Sequence, residues 1–237
     1  MLKVIKLGFI SGCLGTVLGG IIALFIKSDS KRIYTFILEF AGGLMLSVVS
    51  FELLPEAMNV SNIFICLIGF SIGCTLMMIL EDKIYKFNKN LSIEYIVGLM
   101  IFASIAIHNF PEGLAIGASY NISETIGYSL FLAILLHDIP EGIGIILPMK
   151  KSPKSRFKLL LYPFISGIPT AVGAGIGYYI GKISDNIIAL SLSFAAGVMM
   201  YVVIGDIIPE SKKKYKGRLP IVGNLLGILA GLLVSNI

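Results

Sequence analysis

Eight stretches of apolar residues, each close to the length that crosses a bilayer, dominate this chain. They lie at about 7–26, 33–54, 60–80, 91–118, 125–149, 159–181, 186–208 and 219–236. A helix needs ~20 apolar residues to span the hydrocarbon core. Eight such spans leave fewer than about 80 of the 237 residues for termini and loops, so no separate soluble domain fits. Composition agrees. The chain is 56% hydrophobic and 14% charged, with mean hydropathy +0.91, where soluble proteins carry roughly 25% charged residues. The pattern predicts an all-α integral membrane protein, one transmembrane domain over residues 1–237, multi-pass in the plasma membrane. It excludes a soluble globular domain, a disordered chain and a disulfide scaffold. Cys13, Cys66 and Cys74 are odd in number and sit in apolar runs, where they read as small buried hydrophobes. Trp is absent, so Tyr must supply any aromatic belt.

The first residues imitate a signal peptide, with Lys3 and Lys6 ahead of an apolar run and Ile10-Ser11-Gly12-Cys13 resembling a lipoprotein cleavage box. The apolar stretch before Cys13 is short for that purpose and hydrophobicity continues to Ile26, so the segment reads as a first transmembrane helix. Sixteen of the 19 Lys and Arg fall in the loops after the first, third, fifth and seventh spans. Only Lys3, Lys6 and Lys182 fall on the other face. The positive-inside rule then puts those four loops in the cytoplasm and both termini outside. The net charge of +5 follows from these loops, which also lie near anionic lipid, and calls for no nucleic acid.

The charges inside the spans are all acidic. Glu39, Glu52, Glu112, Asp138, Glu141 and Asp206 lie there with both histidines, and no Lys or Arg does. An ionisable side chain in the bilayer core costs roughly 2.5–3.5 kcal/mol on insertion scales. Protons or bound cations must neutralise these acids, unless neighbouring helices satisfy them in protonated form. For Glu39, near a helix end, the second account is preferred.

Both histidines belong to near-copies of one motif. The fourth span reads His108-Asn109-Phe110-Pro111-Glu112-Gly113 and the fifth His137-Asp138-Ile139-Pro140-Glu141-Gly142, at an offset of 29. Residues three and four apart share a helix face. Each His therefore points with its Glu, and Asn109 and Asp138 flank the same glutamates. Facing helices 4 and 5 would build one site from His108, Glu112, His137 and Glu141. An adjoining site would use Asn109, Asp138 and the two glutamates as bridges. Such nitrogen and oxygen ligands suit Zn²⁺, Fe²⁺ or Mn²⁺. Pro111 and Pro140 cannot donate to the carbonyls of Ile107 and Leu136, which predicts a kink one turn from the ligands.

A second duplication links spans 2 and 7. Phe40–Ala57 aligns without gaps to Phe194–Ser211 with eight of 18 positions identical, and Glu52 meets Asp206. Under the charge-derived topology the two spans run oppositely, as do spans 4 and 5. An inverted repeat of this kind is a transporter signature, with the site expected near the midplane. Met45 and Met199 read as core fillers, with a soft metal ligand as the alternative.

With eight spans, outside termini and paired His-x-x-Pro-Glu-Gly motifs, the chain resembles the ZIP (Zrt/Irt-like) divalent metal transporters, nearest their compact bacterial-type branches. The resemblance implies a 3+2+3 arrangement of helices and uptake of zinc, or of iron, manganese or cadmium, into the cytoplasm. The metal is then cargo, and no catalytic cofactor is implied. It also implies a binuclear site, a homodimer and a rigid-body alternating-access movement. His108, Glu112, His137 and Glu141 would hold the primary ion, and Asn109 and Asp138 would help hold a second. Met45 falls where some relatives place a primary-site methionine. Two departures stand out. The loop Glu81–Asn90 lacks the histidines that relatives often carry, and Thr170 stands where several bacterial relatives supply a carboxylate from span 6. The second site is accordingly expected to be weaker or absent.

Three other readings exist. A selective divalent-cation channel would need weaker or multiple sites than a buried chelating set provides. An intramembrane metal enzyme lacks a His-Glu-x-x-His motif and a spare base. A metal-sensing receptor lacks a soluble domain.

Overall fold

The computed structural model describes residues 1–26, 30–87, 90–180 and 184–234. Lys27, Lys89 and Lys182, which enter the charge count, lie outside them. Helix is the only regular structure among the described residues. In chain order the helical rods are α1 (Leu2–Phe25), α2 (Lys31–Val60), α3 (Ile63–Phe87), α4 (Ile93–Ile122), α5 (Glu124–Met149), α6 (Arg156–Ile180), α7 (Asp185–Lys214) and α8 (Leu219–Val234). The first seven are long and apolar enough to cross a membrane, and α8 is apolar but shorter. The chain is thus an all-α, multi-pass membrane protein. Only helices and closed barrels satisfy every backbone group in lipid, and this apolar chain takes the helical solution.

Helices α2 and α7 outrun the apolar spans 33–54 and 186–208. Each contains one π-helical turn, at Val49–Leu53 and Val203–Ile207, and then continues into Leu54–Val60 and Ile208–Lys214. Pro55 and Pro209 sit in the turn directly after the π segment, where a missing N–H is tolerated. The two π turns occupy equivalent positions of the repeat, and each carries its acid, Glu52 or Asp206. A third π turn, Ile10–Leu14, interrupts α1. By contrast α4 and α5 run as unbroken helix through Pro111 and Pro140.

The helices associate in pairs that respect the duplication. α1 packs on α5 as α6 packs on α4, and α2 packs on α8 as α7 packs on α3. Glycines let the backbones meet in all four pairs, the usual solution where lipid provides no hydrophobic drive for helix association. α1 and α6 cross each other antiparallel, Gly12 lying on Gly167 and Gly8 on Ala174. Phe9 and Phe164 meet edge to face at the same crossing, with ring centroids 6.0 Å apart.

That crossing exposes a repeat easily overlooked in the sequence. Phe9-Ile10-Ser11-Gly12 recurs as Phe164-Ile165-Ser166-Gly167. Equivalent residues thus touch each other, as a two-fold relation requires. The main apolar core lies between α2, α4, α5 and α7, built from residues such as Leu38, Met45, Met100, Ile105, Ile145 and Val202. The outward faces of α3 and α8 expose apolar side chains, Phe64 and Leu233 among them, as a lipid-facing surface does.

Candidate metal centre

Helices α4 and α5 deliver the two motif copies to one buried locus. His108, Asn109, Glu112, His137, Asp138 and Glu141 are all buried. The tightest contacts run between the copies. His108 Nε2 lies 3.2 Å from Glu141 Oε1, and His137 Nε2 lies 3.4 Å from Glu112 Oε1. Within one copy, His108 Nε2 is 4.0 Å from Glu112 Oε1. His137 Nε2 also lies 3.8 Å from Asp138 Oδ1. One ligand atom each from Glu112, His137 and Asp138 fall within 4.8 Å of one another.

The polar atoms of this cluster make no well-formed hydrogen bond, the His–Glu approaches across the interface being close but misaligned. Both ring nitrogens of His108 and His137, both oxygens of Glu112 and of Asp138, Oε2 of Glu141 and Oδ1 of Asn109 are in this state. Buried polar groups are ordinarily paired, and leaving one unpaired costs about 1–3 kcal/mol. So many orphaned donors and acceptors at one point call for a bound species. Nitrogen and carboxylate oxygens with no basic side chain among them fit a divalent cation. The Asn109 amide is positioned from outside the motif, its Nδ2 donating to the Ser166 carbonyl at 2.8 Å, which leaves Oδ1 free.

The motif glycines bring two further helices against the site. A Cβ on Gly142 would lie 1.8 Å from the Thr16 carbonyl oxygen, and one on Gly113 would lie 2.1 Å from that of Thr170. Only glycine permits either approach. Thr16 and Thr170 are therefore counterparts. They are 154 positions apart, whereas the Phe-Ile-Ser-Gly copies are 155 apart. The π turn in α1 accommodates the extra residue. Thr16 Oγ1 lies 2.6 Å from the carbonyl oxygens of both Gly12 and Pro163, cross-linking α1 to α6. Thr170 is buried, with Oγ1 against Gly12 of α1. Neither threonine's packing role was legible from the motif alone. The Phe-Ile-Ser-Gly repeat was the available signal.

The other intramembrane acids separate by environment. Glu39 is buried and accepts from Asn224 Nδ2 at 2.9 Å, so a neighbouring helix satisfies it. Glu52 is half-buried on its π turn, within electrostatic reach of His137 and Glu112. Asp206 is buried near Glu81. Glu210 lies 3.6 Å from Lys214, which also bridges to Glu94 at 2.5 Å. Met45 is buried in the apolar core. Ala41, one turn before it, faces Gly144, which is one turn beyond Pro140.

A family model described as ZIP zinc transporter matches residues 87–235. A zinc transporter ZupT of Xanthomonas axonopodis pv. citri is 32% identical over 91% of this chain and 87% of its own length. Proteins of the same name from Chlorobium limicola and Streptococcus mutans are 29% and 30% identical, each over 91% of this chain and 90% of their own lengths.

Proposed function

This chain belongs to the ZIP zinc transporter family, and on that premise we propose that it carries Zn²⁺ into the cytoplasm through the His/Glu cluster between α4 and α5. The observation that carries this reading is the set of buried nitrogens and carboxylate oxygens that two repeat-related motifs contribute equally, which face one another across the α4–α5 interface and make no well-formed hydrogen bond. Divalent metal transport is the family's business. The direction, the ions accepted and the ligands are the proposal.

His108, Glu112, His137 and Glu141 hold the primary ion. Asn109, Asp138 and the two glutamates offer an oxygen-rich second position beside it. Met45 joins as a soft ligand, supported by the placement of Ala41 beside Gly144. Mixed N/O ligands also admit Fe²⁺, Mn²⁺ and Cd²⁺, because geometry rather than donor type sets selectivity. The ion sheds water, binds neutral imidazoles and ionised carboxylates, and leaves when one helix group shifts against the other. The two-fold pairing of α1, α4, α5 and α6 with their counterparts supports such alternation. In this reading α8 completes an eighth crossing, both termini face outward, residues 1–237 form one transporter domain of 3+2+3 helices, and two copies form a dimer in the plasma membrane. The metal is cargo, and no catalysis is involved.

Uptake of radioactive zinc, manganese and iron into proteoliposomes tests this. Wild type should accumulate zinc with saturation, and His108→Ala and Glu141→Ala should not. Equal flux in all three proteins would remove the site assignment, and a non-saturating, voltage-driven current would favour a channel.

A further inference from the structure

Basic residues on the loop-rich face are not evenly disposed. Lys150 is engaged by the carbonyls of Ala23 and Ile26 at the end of α1. Lys154 donates to the Tyr162 hydroxyl at 2.7 Å and lies 4.9 Å over the Tyr95 ring. Lys214 is held between Glu94 and Glu210. Six cations differ. Lys31 and Arg32 at the start of α2, and Lys212, Lys213, Lys216 and Arg218 around the end of α7, are exposed. No ion pair is seen for any of them among the described residues.

These two segments are far apart in sequence, and the fold brings them to one corner. The Arg32 guanidinium lies 5.6 Å over the Tyr215 ring. The corner borders apolar side chains exposed to lipid. Ile33 is 48% exposed, Leu219 38% and Ile221 57%. The cations therefore stand at the level where acyl chains give way to headgroups. Orientation in the membrane needs only a count of basic residues per loop. It does not need cations from two loops gathered at one point.

We propose that this corner of α2, α7 and α8 binds the phosphodiester headgroups of anionic membrane phospholipid. Arg32 and Arg218 offer fork-shaped donors to the phosphate oxygens, and the lysines add point charges. Each cation near an anionic surface strengthens binding about fivefold.

The test measures cardiolipin binding to the full-length protein by native mass spectrometry, with phosphatidylcholine as the uncharged comparison. The fourfold variant Lys212→Gln, Lys213→Gln, Lys216→Gln, Arg218→Gln should bind cardiolipin at least tenfold more weakly. A triple Lys→Arg variant at 212, 213 and 216 should bind like wild type, and so should Lys151→Gln with Lys158→Gln in the other loop. Zinc uptake by the fourfold variant in phosphatidylcholine vesicles checks its fold. If it misfolds, Arg32→Gln with Lys216→Gln carries the same test, with a loss of at least threefold. Unchanged binding in the charge-removed variant overturns the proposal. So does an equal loss in the Lys151/Lys158 variant. Displacement of the lipid by millimolar inorganic phosphate overturns it too, since the site would then take the free anion.

Discussion

His108 Nε2 lies 3.2 Å from Glu141 of the other motif copy and 4.0 Å from Glu112 of its own. Each histidine is thus closer to the glutamate across the helix interface than to its own helical neighbour. The cluster can only be complete when α4 and α5 face each other in this register, so it senses their relative position.

A double-mutant cycle should expose this coupling. His108→Ala and Glu141→Gln are each expected to weaken zinc binding at least tenfold. The double variant should lose little more than either, because residues acting as one unit are not additive. Calorimetric titration of the purified protein gives the three values. Strict additivity would show that the two side chains bind independently.

Zinc affinity should fall on acidification. Imidazoles must be neutral and carboxylates ionised to ligate, so protons compete with the ion and are released when it binds. Titrating zinc into weakly buffered protein near neutral pH should acidify the solution. No proton release would contradict ligation by these side chains.

Gly142→Ala should be far more damaging than Gly144→Ala, two residues on. The Gly142 Cβ would fall 1.8 Å from the backbone carbonyl of Thr16, whereas at Gly144 the nearest side-chain atom is 3.6 Å away. Backbone cannot yield as a flexible side chain does, so the first change forces α1 off α5. A destabilisation of about 1–3 kcal/mol is expected for Gly142→Ala, and none for Gly144→Ala. Thermal unfolding in detergent compares them.

Thr16→Val should cost about 1 kcal/mol, because it removes the hydroxyl that lies 2.6 Å from the Pro163 carbonyl and ties α1 to α6 at their crossing. Thr16→Ser keeps the hydroxyl and should retain most of the stability. The same unfolding assay checks both, and a loss in Thr16→Ser without one in Thr16→Val would assign the effect to the methyl group.

Lys214→Met should loosen the start of α4. The Lys214–Glu94 bridge ties the end of α7 to that helix, but both side chains are partly exposed, so its contribution is about 0.5 kcal/mol. Faster hydrogen exchange near Glu94 is expected, with exchange around His108 unchanged.

Much of this was legible in the residues. Periodic apolar length located the helices, since lipid leaves helices and closed barrels as the only spanning solutions. The spacing of His108 with Glu112, and of His137 with Glu141, placed ligands on one face because helical geometry is local. Helix continues through Pro111 and Pro140, where a kink is expected. The π turns lie elsewhere, at Val49–Leu53 and Val203–Ile207, directly ahead of the segments that begin with Leu54-Pro55 and Ile208-Pro209.

The sequence by itself determined the membrane environment, the shortage of intramembrane basic charge and the pairing of two ligand motifs, because each is set by composition or by spacing within one helix. Tertiary structure decided which helices close around the motifs. It put Thr16 and Thr170 against the motif glycines, turned each histidine toward the opposite glutamate, and gathered Arg32 with the basic end of α7. These relationships join residues 25 to 183 positions apart. They depend on backbone approach and on a one-residue π insertion in α1, which no periodicity within a single span can reveal.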